Sequence, residues 1–180
     1  FNYLSYLGTP TRSAEEIAQQ MYQLACNFHM GSGSTTTSIS VNGLAENMPQ
    51  AMEIVEDLAY NAIPDEAILA NLKADMFKSR RDAKLSQSSC FSALQAYVLY
   101  GPEYIQKTTM SDKQIQSLTS EELLAKVRDI LGCQHEIRYY GPACETEAAE
   151  LLKANHKIAE DLKPLEKQYI KYQTVDQSKV

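Results

Sequence analysis

Residues 13–44 read SAEEIAQQMYQLACNFHMGSGSTTTSISVNGL and contain the two patterns from which the fold class can be inferred. Glu16 follows Ser13 at the spacing of a capping box, which predicts the start of a helix. Apolar residues then recur at the spacing of one helix face, namely Ile17, Met21, Leu24, Ala25 and Phe28. After the glycine-serine run at 31–34, alternating β-branched residues over 35–44 predict a strand with one wetter face.

The remaining sequence predicts further helices and a second strand. The helices follow Asn47, Pro64-Asp65, the serines at 86–89, Ser111 and Thr119, and Gly101-Pro102 is a predicted stop. Alternation over 134–140 predicts the second strand. Helices interrupted by a few widely separated strands favour an α+β fold, a largely antiparallel sheet with helices packed on one face.

The character of the sequence changes after Cys144. Residues 145–162 have the pattern of a charged helix with few large apolar side chains, and the remaining tail is typical of a connecting segment. We therefore expect one α+β domain over residues 1–144. A charged helix and a linker towards a further domain are expected over residues 145–180.

The composition argues against several partners. A net charge of −6 does not suit a nucleic-acid partner, and no run of apolar residues is long enough to predict a membrane span. Four separated cysteines without a CxxC pair predict buried thiols rather than a disulfide framework. The chain begins at Phe1, so the sequence carries no targeting information. The localisation stays unknown, and a periplasmic or secreted parent protein is compatible with it.

Motifs that would carry catalysis are absent from the sequence. The run GSGSTTT at 31–37 lacks the lysine of a phosphate loop and has a predicted helix before it, so it is interpreted as a loop entering a strand. His29, His135 and His156 have no second ligand at helical spacing, and His135 is expected to be a structural histidine. Glu136 and Arg138 are expected to form an exposed ion pair at most. We expect no catalytic residue and no metal ligand.

Five segments, taken in order, resemble one repeat unit of the insulinase/pitrilysin zinc metallopeptidases. They are YLSYLGT (3–9), SAEEI (13–17), YQLACNF (22–28), TTSISVNGLAEN (36–47) and RYYGP (138–142). The resemblance covers residues 1 to about 143. It implies an α+β domain similar to those of mitochondrial processing peptidases. In such proteins two halves enclose a peptide-binding chamber, and only the first domain carries the zinc-binding motif HxxEH.

The resemblance also implies that this unit is a degenerate one. It places Tyr3 at the second histidine of the motif and Asn2 at the catalytic glutamate. The long helix expected to supply the last ligand has its one glutamate, Glu66, in its first turn. Its later half carries cations instead, at Lys78, Arg80 and Arg81. Because these groups cannot form a zinc site, the implied cofactor is none in this domain, with zinc in the active domain of the parent.

The implied function is that of a non-catalytic domain of a zinc protease. Its partners would be the peptide substrate and the active peptidase domain of the same or a partner chain, and the family's first strands would precede Phe1. Individual substrate contacts are not identified. Two alternatives stay open, a scaffold subunit for a separate active peptidase chain and an unrelated protein-binding module. An enzyme with its own thiol or serine is expected least, because no supported nucleophile is visible.

Overall fold

A computed structural model describes residues 3–33, 36–158 and 161–164. Helices account for 64% of these residues, and the strands among them form one two-stranded antiparallel sheet. The elements are α1 (Ala14–Gln23), β1 (Cys26–Ser32), β2 (Thr37–Gly43), α2 (Met48–Asn61), α3 (Glu66–Leu85), α4 (Gln87–Thr108), α5 (Asp112–Ser117), α6 (Ser120–Leu131) and α7 (Glu145–Asn155), with short 3-10 turns at Leu4–Tyr6 and Ala45–Asn47.

The predicted fold class, a largely antiparallel sheet with helices on one face, is wrong. The chain is helix-dominated, and residues 134–140, the predicted second strand, form no ladder. An isolated bridge joins Cys133 to Lys163 just before this segment. Ile137 is 43% exposed and Tyr140 fully so, which means that the alternation does not mark a buried face. A period of two predicts a strand only where another strand supplies hydrogen bonds.

The first predicted helix is shorter than its apolar spacing indicates. The capping box at Ser13 and Glu16 is confirmed, but α1 ends at Gln23, and Ala25 takes a positive φ of 50°. The side-chain amide of Asn47 donates to the carbonyl of Leu24 at 2.8 Å and satisfies part of the helix end. Phe28 therefore lies in β1, where it pairs with Val41.

The glycine-serine run consequently connects two strands rather than a helix and a strand. Strand β1 pairs with β2 from Cys26 opposite Gly43 to Ser32 opposite Thr37. A Cβ atom at Gly43 would lie 2.3 Å from the Cys26 sulfur, so the first pair of the hairpin requires glycine. The expectation that a helix precedes this loop is wrong.

Tertiary contacts divide the chain into two compact units. Among the described residues, the first contains those from Tyr3 to Ile68 and from Ser120 to Pro164, and the second contains Leu69–Thr119. The core of the first unit is formed by apolar side chains from α1, β1, α2 and α6 together with the opening turn. Its members include Leu4, Leu7, Ile17, Met21, Met30, Ile54, Leu58, Leu124 and Val127. The predicted boundary after residue 144 stays a prediction.

In the second unit, α3 is fastened to α5 by long cationic side chains. The Lys73 ammonium donates to the carbonyls of Gln116 and Leu118 at 3.2 and 2.6 Å. At the predicted stop, Gly101 leaves the helical region at φ 77° and interrupts α4 with a kink. The helix does not end there as predicted, because helical residues resume and continue to Thr108. Several apolar side chains of α4 are exposed, namely Phe91, Leu94, Tyr97 and Val98.

The cysteines are all free thiols, but their environments differ. The prediction of buried thiols is confirmed for Cys26 and is wrong for Cys90 and Cys144, which are exposed, while Cys133 is intermediate. None of the helices in the described ranges has both the length and the apolar character needed to cross a bilayer.

Candidate functional site

Tyr3 occupies the position that the resemblance assigns to a zinc-binding histidine. It is 7% exposed, and its hydroxyl donates to the carbonyl of Asp65 at 2.9 Å and accepts from the amide of Asp65 at 2.8 Å. Asn2, the residue placed at the catalytic glutamate, lies outside the described residues. The phenol of Tyr3 is thus used to hold the segment that leads into α3.

The start of α3 is built from two carboxylates, each engaged with backbone amides. Asp65 caps the helix, because its Oδ1 accepts from the amides of Ala67 and Ile68 at 2.8 and 3.0 Å. Glu66 accepts from the amide of Ser120 at 2.7 Å, at the first residue of α6. A carboxylate at a helix N-terminus is favoured by the helix dipole. Glu66, the one glutamate of α3, therefore links two helix starts.

The later half of α3 is cationic, as its sequence predicts. Arg80 forms an ion pair with Asp112 and donates to the carbonyl of Met110 at 2.7 Å, while Lys78 and Arg81 are exposed. In the part of the chain that the structure describes, no three His, Cys, Asp or Glu side chains converge in a way that could hold a metal ion.

Thr9, at the end of the first segment quoted for the resemblance, lies in a polar network with α2. Thr9 is buried and its hydroxyl donates to Asp57 at 2.9 Å. Arg12 donates to Asp57 at 2.9 Å and to Glu53 at 3.0 Å. Burial acts to raise the pKa of Asp57, but hydrogen bonds from Asn61, the two threonines Thr9 and Thr11, and Arg12 together hold it below the ordinary value of 3.8. The network fastens the turn before α1 to α2.

The structure also brings together three titratable side chains that the sequence did not connect. Nδ1 of His156 lies 2.5 Å from Glu56 Oε1, and Nε2 of the same ring lies 2.9 Å from Nε2 of His135. Nδ1 of His135 makes the last contact of this hydrogen-bonded series, because it lies 2.9 Å from the carbonyl oxygen of Cys133. We call Glu56, His135 and His156 the acid–imidazole cluster. The side chains of Glu56 and His156 are 13% and 18% exposed.

No spacing rule reveals this cluster. Glu56 and His156 are 100 residues apart in the sequence, and His135 falls in the segment for which a strand is wrongly predicted. The expectation of a structural histidine at position 135 did not include an imidazole partner. The packing of α7 against α2 brings Glu56 and His156 together. The segment after α6 then places His135 beside His156.

Glu136 and Arg138 form the exposed ion pair that the sequence indicates, at 2.9 Å. Each holds the pKa of the other away from its ordinary value, lowered for Glu136 and raised for Arg138 by the hydrogen bond between them. Both side chains are largely in solvent, where ion pairs contribute little to stability, so the pair marks no site.

Neither the protein-family models nor the curated proteins compared with this chain produced a match. Membership of the insulinase/pitrilysin family therefore remains a proposal that rests on the quoted segments and on the geometry around them.

Proposed function

We propose that this chain is a non-catalytic domain of a zinc peptidase of the insulinase/pitrilysin type. In the parent protein it helps to enclose the peptide substrate and contacts the catalytic half. The observation that carries the proposal is the use of Tyr3. At the position assigned to a metal ligand stands a buried phenol whose hydroxyl both donates to and accepts from the backbone of Asp65.

The surroundings of Tyr3 support the same interpretation. The two acidic side chains at the start of α3, Asp65 and Glu66, each accept hydrogen bonds from backbone amides at helix starts. A ligand carboxylate must keep its lone pairs directed at the ion, and catalytic zinc needs three protein ligands with an open fourth position. The chemistry of this region suits helix anchoring better than metal binding.

The hairpin provides a surface suited to extended peptides. Strand β1 pairs with β2 alone among the described residues, so each strand has an outer edge there without a ladder partner. Every residue of β2 except Val41 is exposed. An extended peptide can add to such an edge through its main chain, which gives affinity with little side-chain specificity. We propose this hairpin as a contact of the domain with peptide substrate.

Zinc content and peptidase activity of the purified chain test the proposal. We expect no stoichiometric zinc after dialysis and no hydrolysis of a fluorogenic peptide library. Tight zinc that is lost in Tyr3→Phe or Glu66→Gln would contradict it, because these side chains would then be ligands. Hydrolysis that resists chelators would point to a nucleophile of this chain instead.

The full parent polypeptide separates the two family-based roles. An HxxEH motif in the same polypeptide, with zinc bound at one site, is expected for a domain of a single peptidase. If the motif lies only in a second protein that co-purifies with the parent, the chain is a scaffold subunit. Absence of the motif from both would overturn the family proposal and leave an unrelated binding module.

A further inference from the structure

The hydrogen-bond pattern of the acid–imidazole cluster fixes how many protons it holds. The carbonyl of Cys133 can only accept, so Nδ1 of His135 donates to it. An ionised Glu56 can likewise only accept, so Nδ1 of His156 donates to the carboxylate. Both rings then face each other through Nε2, at 2.9 Å.

Two neutral rings with these tautomers cannot form that last contact. Each Nε2 would carry a lone pair, and two lone pairs at hydrogen-bonding distance repel. The ring planes meet at 84°, so the contact is through ring edges and not through stacking. One additional proton between the two nitrogens converts the repulsion into an N–H···N hydrogen bond. A protonated Glu56 beside two neutral rings would make the same contacts, and the NMR experiment below distinguishes that arrangement from a shared positive charge.

We propose that the acid–imidazole cluster is a one-proton latch, in which His135 and His156 share a single positive charge opposite Glu56. The carboxylate is mostly buried, and its Oε2 has no hydrogen-bond partner among the described residues. A buried carboxylate is costly unless a cation faces it. Among the described residues, His156 is the side chain hydrogen-bonded to this carboxylate, so a protonated imidazole there supplies the counter-charge.

The position of His156 at the end of α7 favours the same charge. His156 is the C-cap residue of α7, and its amide donates to the carbonyl of Leu152. The C-terminal end of a helix carries partial negative charge, which stabilises a protonated histidine there. The shared proton is thus held between a helix end and a carboxylate of α2.

Other titratable groups around the cluster are engaged elsewhere. Tyr60 of α2 donates to the carbonyl of Lys157 at 3.1 Å, and burial followed by the charge of Glu56 raises the pKa of Tyr60. In α6, Arg128 donates to the carbonyl of Tyr60, and Asp129 pairs with Lys163. The Cys133 thiol donates to the carbonyl of Asp129. In the described ranges none of these side chains is hydrogen bonded to either imidazole.

The latch predicts that the attachment of the end of α7 to α2 depends on the shared proton. Without that proton the two Nε2 lone pairs face each other at 2.9 Å, so the contact is expected to weaken when alkaline solution removes it. This expectation does not depend on the proposed peptidase role.

Melting temperature as a function of pH tests the latch in the whole chain. His135→Gln is the informative variant, because the glutamine amide can donate to Nε2 of a neutral His156 without any extra proton. We expect the melting temperature of the unmodified chain to decrease in alkaline solution and this decrease to be lost in the variant. The matched control is His29→Gln, because His29 is an exposed histidine of β1. This variant should show the same dependence of melting temperature on pH as the unmodified chain.

Imidazole nitrogen NMR of the unmodified chain gives a second readout that does not depend on any variant folding. At neutral pH we expect the signals of one imidazole ring that is protonated on both nitrogens. Two neutral rings at that pH would overturn the latch, as would an unchanged profile in His135→Gln. Zinc ions added to the chelator-treated chain should not raise its melting temperature. A rise abolished by His135→Gln would mean that a metal, and not a proton, joins the rings.

Discussion

The hydroxyl of Tyr3 satisfies both backbone polar groups of Asp65, donating to the carbonyl at 2.9 Å and accepting from the amide at 2.8 Å. One side chain thereby completes the hydrogen bonding of the residue that caps α3. Without that hydroxyl, a donor and an acceptor in a partly buried place would lose their partner. The free-energy cost of leaving buried polar groups without a partner is larger than the net stabilisation by an ordinary hydrogen bond.

Tyr3→Phe is therefore expected to lower the free energy of unfolding by about 1–3 kcal/mol. Urea denaturation with an unchanged m-value is the measurement. Tyr22→Phe is the control, because Tyr22 is 85% exposed on α1 and its loss of a hydroxyl should change stability by less than about 0.5 kcal/mol. Equal effects of the two substitutions would contradict the anchoring role of Tyr3.

Glu66→Ala should destabilise the first unit more than Glu66→Gln. Alanine leaves the amide of Ser120 without its acceptor at the start of α6, whereas glutamine retains a carbonyl oxygen at that position. We expect a loss of about 1.5–3 kcal/mol for alanine and a smaller one for glutamine, because a hydrogen bond to a charged group is the stronger one. Chemical denaturation of both variants measures the difference. A larger loss for glutamine would show that the contact with Ser120 is not what Glu66 contributes.

Gly8→Ala should be among the more damaging small substitutions in the chain. A Cβ at Gly8 would lie 2.7 Å from the carbonyl oxygen of Arg12, and backbone cannot move aside as a flexible side chain does. The expected loss is about 1–3 kcal/mol, measured as a lower midpoint of urea denaturation. Gly132→Ala is the comparison, since the nearest atom there is at an ordinary 3.5 Å. A neutral Gly8→Ala would mean that the turn before α1 can relax.

The stability contributed by Asp57 should disappear in acid. The pKa of Asp57 is lowered in the folded state, so its contribution is complete above the ordinary value of 3.8 and is lost as pH falls through the lower folded value. Asp57→Asn keeps the shape but not the charge. We expect the unmodified chain to be more stable than the variant at neutral pH and the two to converge once the pH falls below the lowered folded-state pKa of Asp57. A gap in melting temperature that stays constant with pH would contradict the assignment.

The starts and interruptions of helices are the part of the fold that the sequence predicts well. The boxes at Ser13–Glu16 and Ser111–Gln114 form as expected, because each joins residues three apart and needs no distant partner. The kink at Gly101 follows from the same kind of local rule. These signals locate where helices begin and end, and they do not reveal which surfaces meet.

The failures all concern partners that are distant in the sequence. Phe28 fits a helix face by spacing, but its place opposite Val41 in the hairpin decides its structure. Residues 134–140 alternate like a strand, yet no ladder partner lies beside them in the described chain. The acid–imidazole cluster depends on the docking of α7 on α2, for which no periodicity gives a signal. At Tyr3 the sequence indicates the loss of an imidazole, whereas its structural use emerges only from the hydrogen bonds to Asp65.

Gly43 has a consequence for how the hairpin can misassemble. Cys26 and the carbonyl of Ala25 leave no room for a side chain opposite them, and Gly43 is the one residue of β2 that lacks a Cβ. A slip of β2 by one position would present Asn42 or Leu44 to this narrow place, and it would also exchange the two faces of the strand. Gly43 therefore restricts the two strands to one register by steric exclusion. This restriction is local to the hairpin and needs no contact with distant parts of the chain.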